Sequence, residues 1–149
     1  MSDDGFHISD DKTRLDLDVI HGFLSTAYWS AGISRKRVAR AIEHSLCFGV
    51  YESKTGGQVG FARVITDRAV MAHLCDVFIV EGCRGRGLGR RLVAAVLSHP
   101  DLQHLRRWTL ATSDAHELYR QFGFGPLTAA QVEMTMQKLD PDVYRRSDR

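Results

Sequence analysis

Residues 81–95 read EGCRGRGLGRRLVAA, three alternate glycines among four arginines at the mouth of an apolar run. Glycines at this density cost backbone entropy, so the stretch calls for a bare, closely approachable main chain. If a strand enters the run and a helix leaves it, the first helical amides lack intrahelical partners and carry the helix's partial positive charge. Such a place binds phosphate or pyrophosphate. Gly85, Gly87 and Gly89 have no Cβ to hold oxygens away from the amides, and Arg84, Arg86, Arg90 and Arg91 surround them with charge. No Lys-Ser or Lys-Thr follows, which speaks against the phosphate loop of nucleoside triphosphatases, and G-x-G-x-G is not the G-x-G-x-x-G of dinucleotide folds.

Just upstream, AVMAHLCDVFIV carries two titratable residues inside an apolar, β-branched run. A carboxylate at Asp76 is costly there unless paired or used, so it is either a structural acceptor or a base with a raised pKa. His73 has a suitable unperturbed pKa, but period two sets it on the opposite face from Asp76 unless a bulge intervenes. His116 is a further candidate base, set against its reading as an ordinary exposed helix residue. Arg63, on a strand face with Phe61 and Ile65, either pairs with Asp76 or reads an acidic group on a substrate.

The elements that must position these residues follow from periodicity. GFHIS is a short strand; Leu17, Ile20, His21 and Leu24 fall at helical spacings; and Ser34 caps a helix with Val38, Ala41 and Ile42 on one face. Leu46, Phe48 and Val50 alternate, and Gly56-Gly57 turns the chain into a second strand through Val59, Phe61, Arg63 and Ile65. The run before the glycines suits a strand covered on both faces. Leu88, Leu92 and Val96 then mark a helix closed by His99-Pro100. RRWTLAT is a strand, DAHELYRQF a short helix capped by Asp114, and VEMTMQKL an alternating final strand. The order predicts one α/β domain with a mixed sheet over 1–149, with its core at about 5–139 and a charged tail at 140–149.

Composition bounds the rest. The chain has 149 residues, 44% apolar, which suits one domain, and its net charge of +2 is too mild for a protein that coats nucleic acid. The three cysteines show no C-x-x-C spacing, no metal set is evident, and no apolar run approaches a membrane span. A reducing cytoplasm, no metal, no membrane and no nucleic-acid partner are expected.

Arg84-Gly85-Arg86-Gly87-Leu88-Gly89 matches the R/Q-x-x-G-x-G/A signature of the GCN5-related N-acetyltransferases (GNAT), and DAHELYRQFGF resembles that family's second marker through Ala115, Leu118, Tyr119, Gly123 and Phe124. The resemblance covers about residues 5–139. It implies a GNAT-type fold: a mixed, mostly antiparallel sheet with helices on both faces, splayed where the cofactor binds. It also implies acetyl-CoA as co-substrate and transfer of its acetyl group to a primary amine of a small molecule or protein.

Carried over residue by residue, the resemblance puts the pyrophosphate on Arg84, Gly85, Arg86, Gly87, Leu88, Gly89 and Arg90. It puts the pantetheine and acetyl groups along the main chain of Val77, Phe78 and Ile79. Thr112 stands where relatives commonly have asparagine, and Glu81 where they often have proline. Tyr119 is the expected general acid, its phenol protonated at neutral pH with a reference pKa of about 10; packing at a helix end is the other reading of the same ring. Asp76 and His73 are the candidate bases. Tyr28 and Trp29, in the loop STAYWSAG, either shape the acceptor site or plug the join of two helices. Homodimers are frequent in families of this kind. A non-catalytic acyl-CoA-binding domain would keep the loop without the chemistry, and a nucleic-acid module would use Arg84, Arg86, Arg90, Arg91, Arg106 and Arg107.

Overall fold

The alternation beginning at Leu46 becomes a hairpin of β2 (Leu46–Glu52) and β3 (Gln58–Thr66) in the computed structural model, which describes residues 4–146. Residues 1–3 and 147–149, the latter ending the expected charged tail, lie outside the described residues. β1 (Phe6–Ser9) pairs antiparallel with β2, β3 pairs antiparallel with β4 (Met71–Ile79), and β4 runs parallel to β5 (Arg107–Thr109). The five strands form one sheet in chain order. A parallel pair needs a long crossover, and α3 (Leu88–Leu97) supplies it between β4 and β5.

Period two assigns the side chains of each strand to two cores. On one face Phe48, Val50, Ala62, Val64 and Leu74 pack under Leu88, Leu92, Val93 and Val96 of α3 and Tyr119 of α4 (His116–Arg120). On the other, Cys47, Phe61 and Phe78 pack under Ile20 and Leu24 of α1 (Leu17–Leu24) and Val38 of α2 (Arg35–Glu43). Local capping fixes where these helices start. Asp16 accepts from the amides of Asp18 and Val19 at 3.0 and 3.3 Å, and Ser34 accepts from the Arg37 amide at 3.1 Å.

Three expectations are corrected. The last strand does not form: Thr128 and Gln131 make a reciprocal capping box that starts α5 (Ala129–Met134), and β5 is too short to offer a neighbouring ladder to Met136–Leu139. α4 is not capped by Asp114; the Thr112 hydroxyl accepts from the Ala115 amide at 3.0 Å instead. β4 is not covered on both faces: on the α3 side Ala72 and Leu74 are buried but Val77 and Ile79 are half-buried, and on the other side His73, Cys75 and Asp76 are half-buried, because α1 and α2 reach only its Phe78 end.

The last described element is α6 (Val143–Arg146), whose Tyr144 returns to the α1–α2 core. Among the described residues, no helix is long and apolar enough to cross a membrane. Leu92 is fully buried between α3 and the sheet. Leu92→Ala is expected to lower the unfolding free energy by about 2–5 kcal/mol, read as a reduced urea midpoint at unchanged slope.

Candidate active site

β4 leaves the sheet at Ile79 and passes through a single 3-10 turn, Glu81–Cys83, into the glycine run. Gly85 and Gly87 sit at φ of 81° and 75°, in the left-handed region that favours glycine, and Gly87 is the N-cap of α3. A glycine cap has no side chain to satisfy the helix N-terminus. Among the described residues, the amides of Gly85 to Arg90 have no protein acceptor. A Cβ built on Gly85 or Gly87 would meet nothing within 4 Å, so both face open space. Six unpaired amides beside a helix N-terminus, with no side chain over the glycines, fit a pyrophosphate.

The arginines of the run divide. Arg84 Nε donates to the carbonyl oxygen of Ile79 at 2.9 Å, tying the loop to the end of β4. Arg91 turns away to the Asp4 carboxylate at 2.7 Å and the Phe6 carbonyl at 3.1 Å, and Arg86 lies 5.8 Å from the centre of the Phe6 ring.

Between the loop and β4 opens a cleft of about 580 Å³. It exists because β4 and β5 separate: their last paired residues are His73 and Thr109, yet β4 runs on to Ile79. Val77, Phe78 and Ile79 form one wall, with Arg84, Gly85, Gly87, Leu88 and Gly89 at the end. Tyr28, Trp29 and Tyr119 line it as well. The Phe78 side chain points away into the core, stacked on Phe23 at 4.0 Å, so its main chain is what faces the cleft. Thr112 does not line the cleft, since its hydroxyl is committed to the start of α4; Asp114 and Leu118 do.

β4 is bulged. Phe61 faces Phe78 and Arg63 faces Cys75, so Ala62 alone opposes both Asp76 and Val77. Asp76 takes the extra turn at φ 55°, a conformation that aspartate tolerates better than most residues. The bulge carries the Asp76 side chain to the face of Arg63. His73 pairs with Ile65, two residues from Arg63, and so lies on that same face. Histidine and aspartate therefore share one side of the sheet.

Asp76 is anchored at both oxygens. Trp29 Nε1 donates to Oδ1 at 2.8 Å and Arg63 Nε donates to Oδ2 at 2.8 Å, while Arg63 Nη1 reaches the Ser45 hydroxyl at 3.1 Å. His73 Nδ1 meets the Thr109 hydroxyl at 2.8 Å. Burial, followed by the Arg63 charge, pushes the His73 pKa below that of a free imidazole, and Asp76 only partly opposes this. Tyr119 is buried, its ring edge-on to Phe124, and burial first, then Asp114 and Tyr28, push its phenol up. Cys75, beside Asp76, is pushed up to about 12, chiefly by burial, and stays a thiol.

The structure thus gathers Val77–Ile79, most of the glycine run, Tyr28, Trp29 and Tyr119 around one cleft. It sets Asp76, Arg63 and His73 on the sheet face beside the cleft rather than in its lining. Phe23, Asp114 and Leu118 were not singled out from sequence. Nor was the bond from Ser113 N to the Tyr28 hydroxyl at 3.1 Å, which ties the aromatic loop to the α4 side across 85 positions. His116 is exposed at the start of α4. No group of three or more metal-ligating side chains that could hold a metal ion occurs among the described residues.

The acetyltransferase (GNAT) domain family matches residues 43–126. A solved structure from Xanthomonas campestris, assigned to the GNAT acetyltransferases, is 47% identical, covers 93% of this chain and 96% of its own, and superposes with a TM-score of 0.87. A Gibberella zeae protein assigned as an acetyltransferase is 29% identical over 85% of this chain and 88% of its own. A rice protein named serotonin N-acetyltransferase 2, chloroplastic, is 31% identical over 63% of this chain and 48% of its own.

Gly89 has an ordinary helical backbone, and a Cβ there would only touch Leu118 at 3.8 Å. Gly89→Glu should therefore fold while setting a carboxylate among the loop amides. Saturating acetyl-CoA is expected to raise the Tm of the wild type by several degrees and to leave that of Gly89→Glu within about one degree, read by thermal denaturation.

Proposed function

The chain belongs to the GNAT family of acetyltransferases, and on that premise we propose that it moves the acetyl group of acetyl-CoA directly to a primary amine. The observation that carries this reading is the cleft itself. It runs along unpaired β4 main chain, ends at six unpaired amides and has a buried phenol in its wall. An amine acceptor is also what the name of the rice relative specifies for that protein.

When bound, acetyl-CoA supplies a thioester carbon as electrophile and a thiolate as leaving group. The amides of Gly85 to Arg90 hold the pyrophosphate. The main chain of Val77 to Ile79 would hold the arm and supply an N–H to stabilise charge developing on the acetyl oxygen. His73 accepts the proton of the incoming ammonium at Nε2, since Nδ1 is engaged with Thr109. Across the bulge Val77 lies three partner positions further on, from Ile65 to Ala62 of β3, about 10 Å at roughly 3.3 Å per position, so this proton travels through water. Tyr119 returns a proton to the departing sulfur. Asp76 holds Trp29 and Arg63 in place, an anchoring role that its two bonds describe better than proton transfer does.

The pKa directions suit these roles. Burial and Arg63 disfavour the His73 imidazolium, so the free base persists to lower pH than in a solvated histidine, whose pKa is about 6.5. Corrected for the free-amine fraction, kcat/KM is expected to stay level as pH falls to 6.5 and to drop only below it; His73→Gln should be slower and lack that break. A wild-type break at or above pH 6.5 would remove His73 from the role. Tyr119→Phe is expected to lower kcat by about 10²-fold or more while keeping the acetyl-CoA Tm shift, as steady-state kinetics and thermal denaturation would show.

A further inference from the structure

The two ends of the cleft differ in charge. The glycine run follows Ile79, so the unpaired amides of Gly85 to Arg90 and the N-terminus of α3 make that end electropositive. The other end lies toward Asp76, and the indole of Trp29 marks it through its bond to the Asp76 carboxylate. Phe23, Tyr28 and Trp29 line the cleft beside it. The Tyr28 and Trp29 rings meet at 84° with their centres 5.1 Å apart, and the Phe23 ring lies 6.2 Å from that of Trp29. Tyr28 is 64% exposed and Trp29 42%, so this aromatic corner is open.

Asp114 stands on the α4 side of the same corner. The amide of Ser113, its neighbour in the chain, donates to the Tyr28 hydroxyl at 3.1 Å. Asp114 lines the cleft, is exposed, and does not cap α4, whose first turn is served by the Thr112 hydroxyl. Its carboxylate has no hydrogen-bond or ion-pair partner among the described residues. Arg84, the other charged residue in the lining, is tied to the Ile79 carbonyl at the glycine end, and Arg120 of α4 is paired with Glu117. Burial is the main cause that pushes the Tyr119 phenol up, and Asp114 and Tyr28 add to it, which places both beside the acid of the acetyl-transfer reading. An unpaired carboxylate and the negative faces of aromatic rings both attract a cation, and neither offers anything to an anion.

An acceptor must bring its reacting nitrogen to the acetyl group near Tyr119 while the rest of it occupies the end that the cofactor phosphates leave free. We propose that the corner of Tyr28, Trp29 and Asp114 is the acceptor subsite and that it selects an amine carrying a second ammonium on a short aliphatic chain, as a diamine does. One ammonium is held by the Asp114 carboxylate against the aromatic faces. The other nitrogen, as the free amine, forms the amide bond as the thioester C–S bond breaks, and the proton it loses is matched by the one that Tyr119 gives the sulfur. The polarity of the cleft then separates its two guests, an anionic cofactor at the glycine end and a cationic acceptor at the aromatic end. The fate of the reacting nitrogen rests on the acetyl-transfer reading above; the binding of the cation rests on the corner alone.

The experiment uses the full chain with butylamine, 1,4-diaminobutane and 4-aminobutanoate, which share one chain length and end in an apolar, a cationic and an anionic group. Turnover is read as free-thiol release from acetyl-CoA, corrected for free amine and per amino group, and binding as the Tm shift each amine produces on the CoA-loaded protein. The diamine is expected to show a kcat/KM at least about tenfold above that of butylamine, and 4-aminobutanoate one below it. Asp114→Asn, which removes the charge of a side chain that makes no bond in the fold, should shrink the diamine preference at least about fivefold; as a ratio, that preference is blind to any effect on Tyr119 shared by all three amines. If the diamine gains less than this, if 4-aminobutanoate matches it, or if the preference survives Asp114→Asn, the subsite is overturned and acetyl transfer stands. If none of the three releases thiol, a diamine Tm shift lost in Asp114→Asn upholds the subsite while the transfer reading fails. With no turnover, a diamine shift that is absent or that survives the substitution overturns the subsite.

Discussion

β4 runs six residues past its last pairing with β5, and that separation is the constraint from which the site follows. A strand in mid-sheet would satisfy its amides on both sides. Here the side that β5 abandons must find another partner, because backbone polar groups shielded from water and unpaired are costly. The chain from Leu110 onward leaves for α4, whose Tyr119 then faces β4 across the gap. The cleft is thus a missing stretch of ladder.

The bulge at Asp76 is the second half of the same arrangement. Inserting one residue before Val77 shifts which side chains face α1 and α2, so Phe78 enters that core while Asp76 reaches Arg63 and Trp29. The left-handed backbone at Asp76 stores strain that the two bonds to its carboxylate offset. Removing the bulge would return Asp76 to the α3 side, bury an unpaired carboxylate there and release the aromatic loop from the sheet.

What could be read from sequence was whatever depends on local backbone chemistry. The glycine loop and the helix it opens were legible because glycine spacing and a following helix determine amide geometry within a few residues, and Ser34 was legible as a cap for the same reason. The bulge was not, because it is a property of β3 and β4 together: nothing at Asp76 says that Ala62 will oppose two residues. The alternation of Val132 to Leu139 misled because period two describes a half-buried strand only where a neighbour and a core exist, and β5 offers neither. The Trp29–Asp76 bond spans 47 positions and left no signal beyond an aromatic pair in a loop.

The arginines of the opening run show why charge counts alone mislead. Arg84 is committed to the Ile79 carbonyl, Arg91 to Asp4 and Phe6, and Arg86 lies near the Phe6 ring, so the run does not present a continuous basic face to a polyanion. What the loop leaves open to an anion is its unpaired backbone amides. Burial shifts His73 and Tyr119 in opposite directions, because it disfavours whichever form is charged. At His73 the charged form is the acid, so burial keeps a base; at Tyr119 the charged form is the base, so burial keeps an acid. One low-dielectric environment, on two sides of one parted pair of strands, thus favours the neutral form of both side chains, which is what the proposed proton acceptor and donor call for.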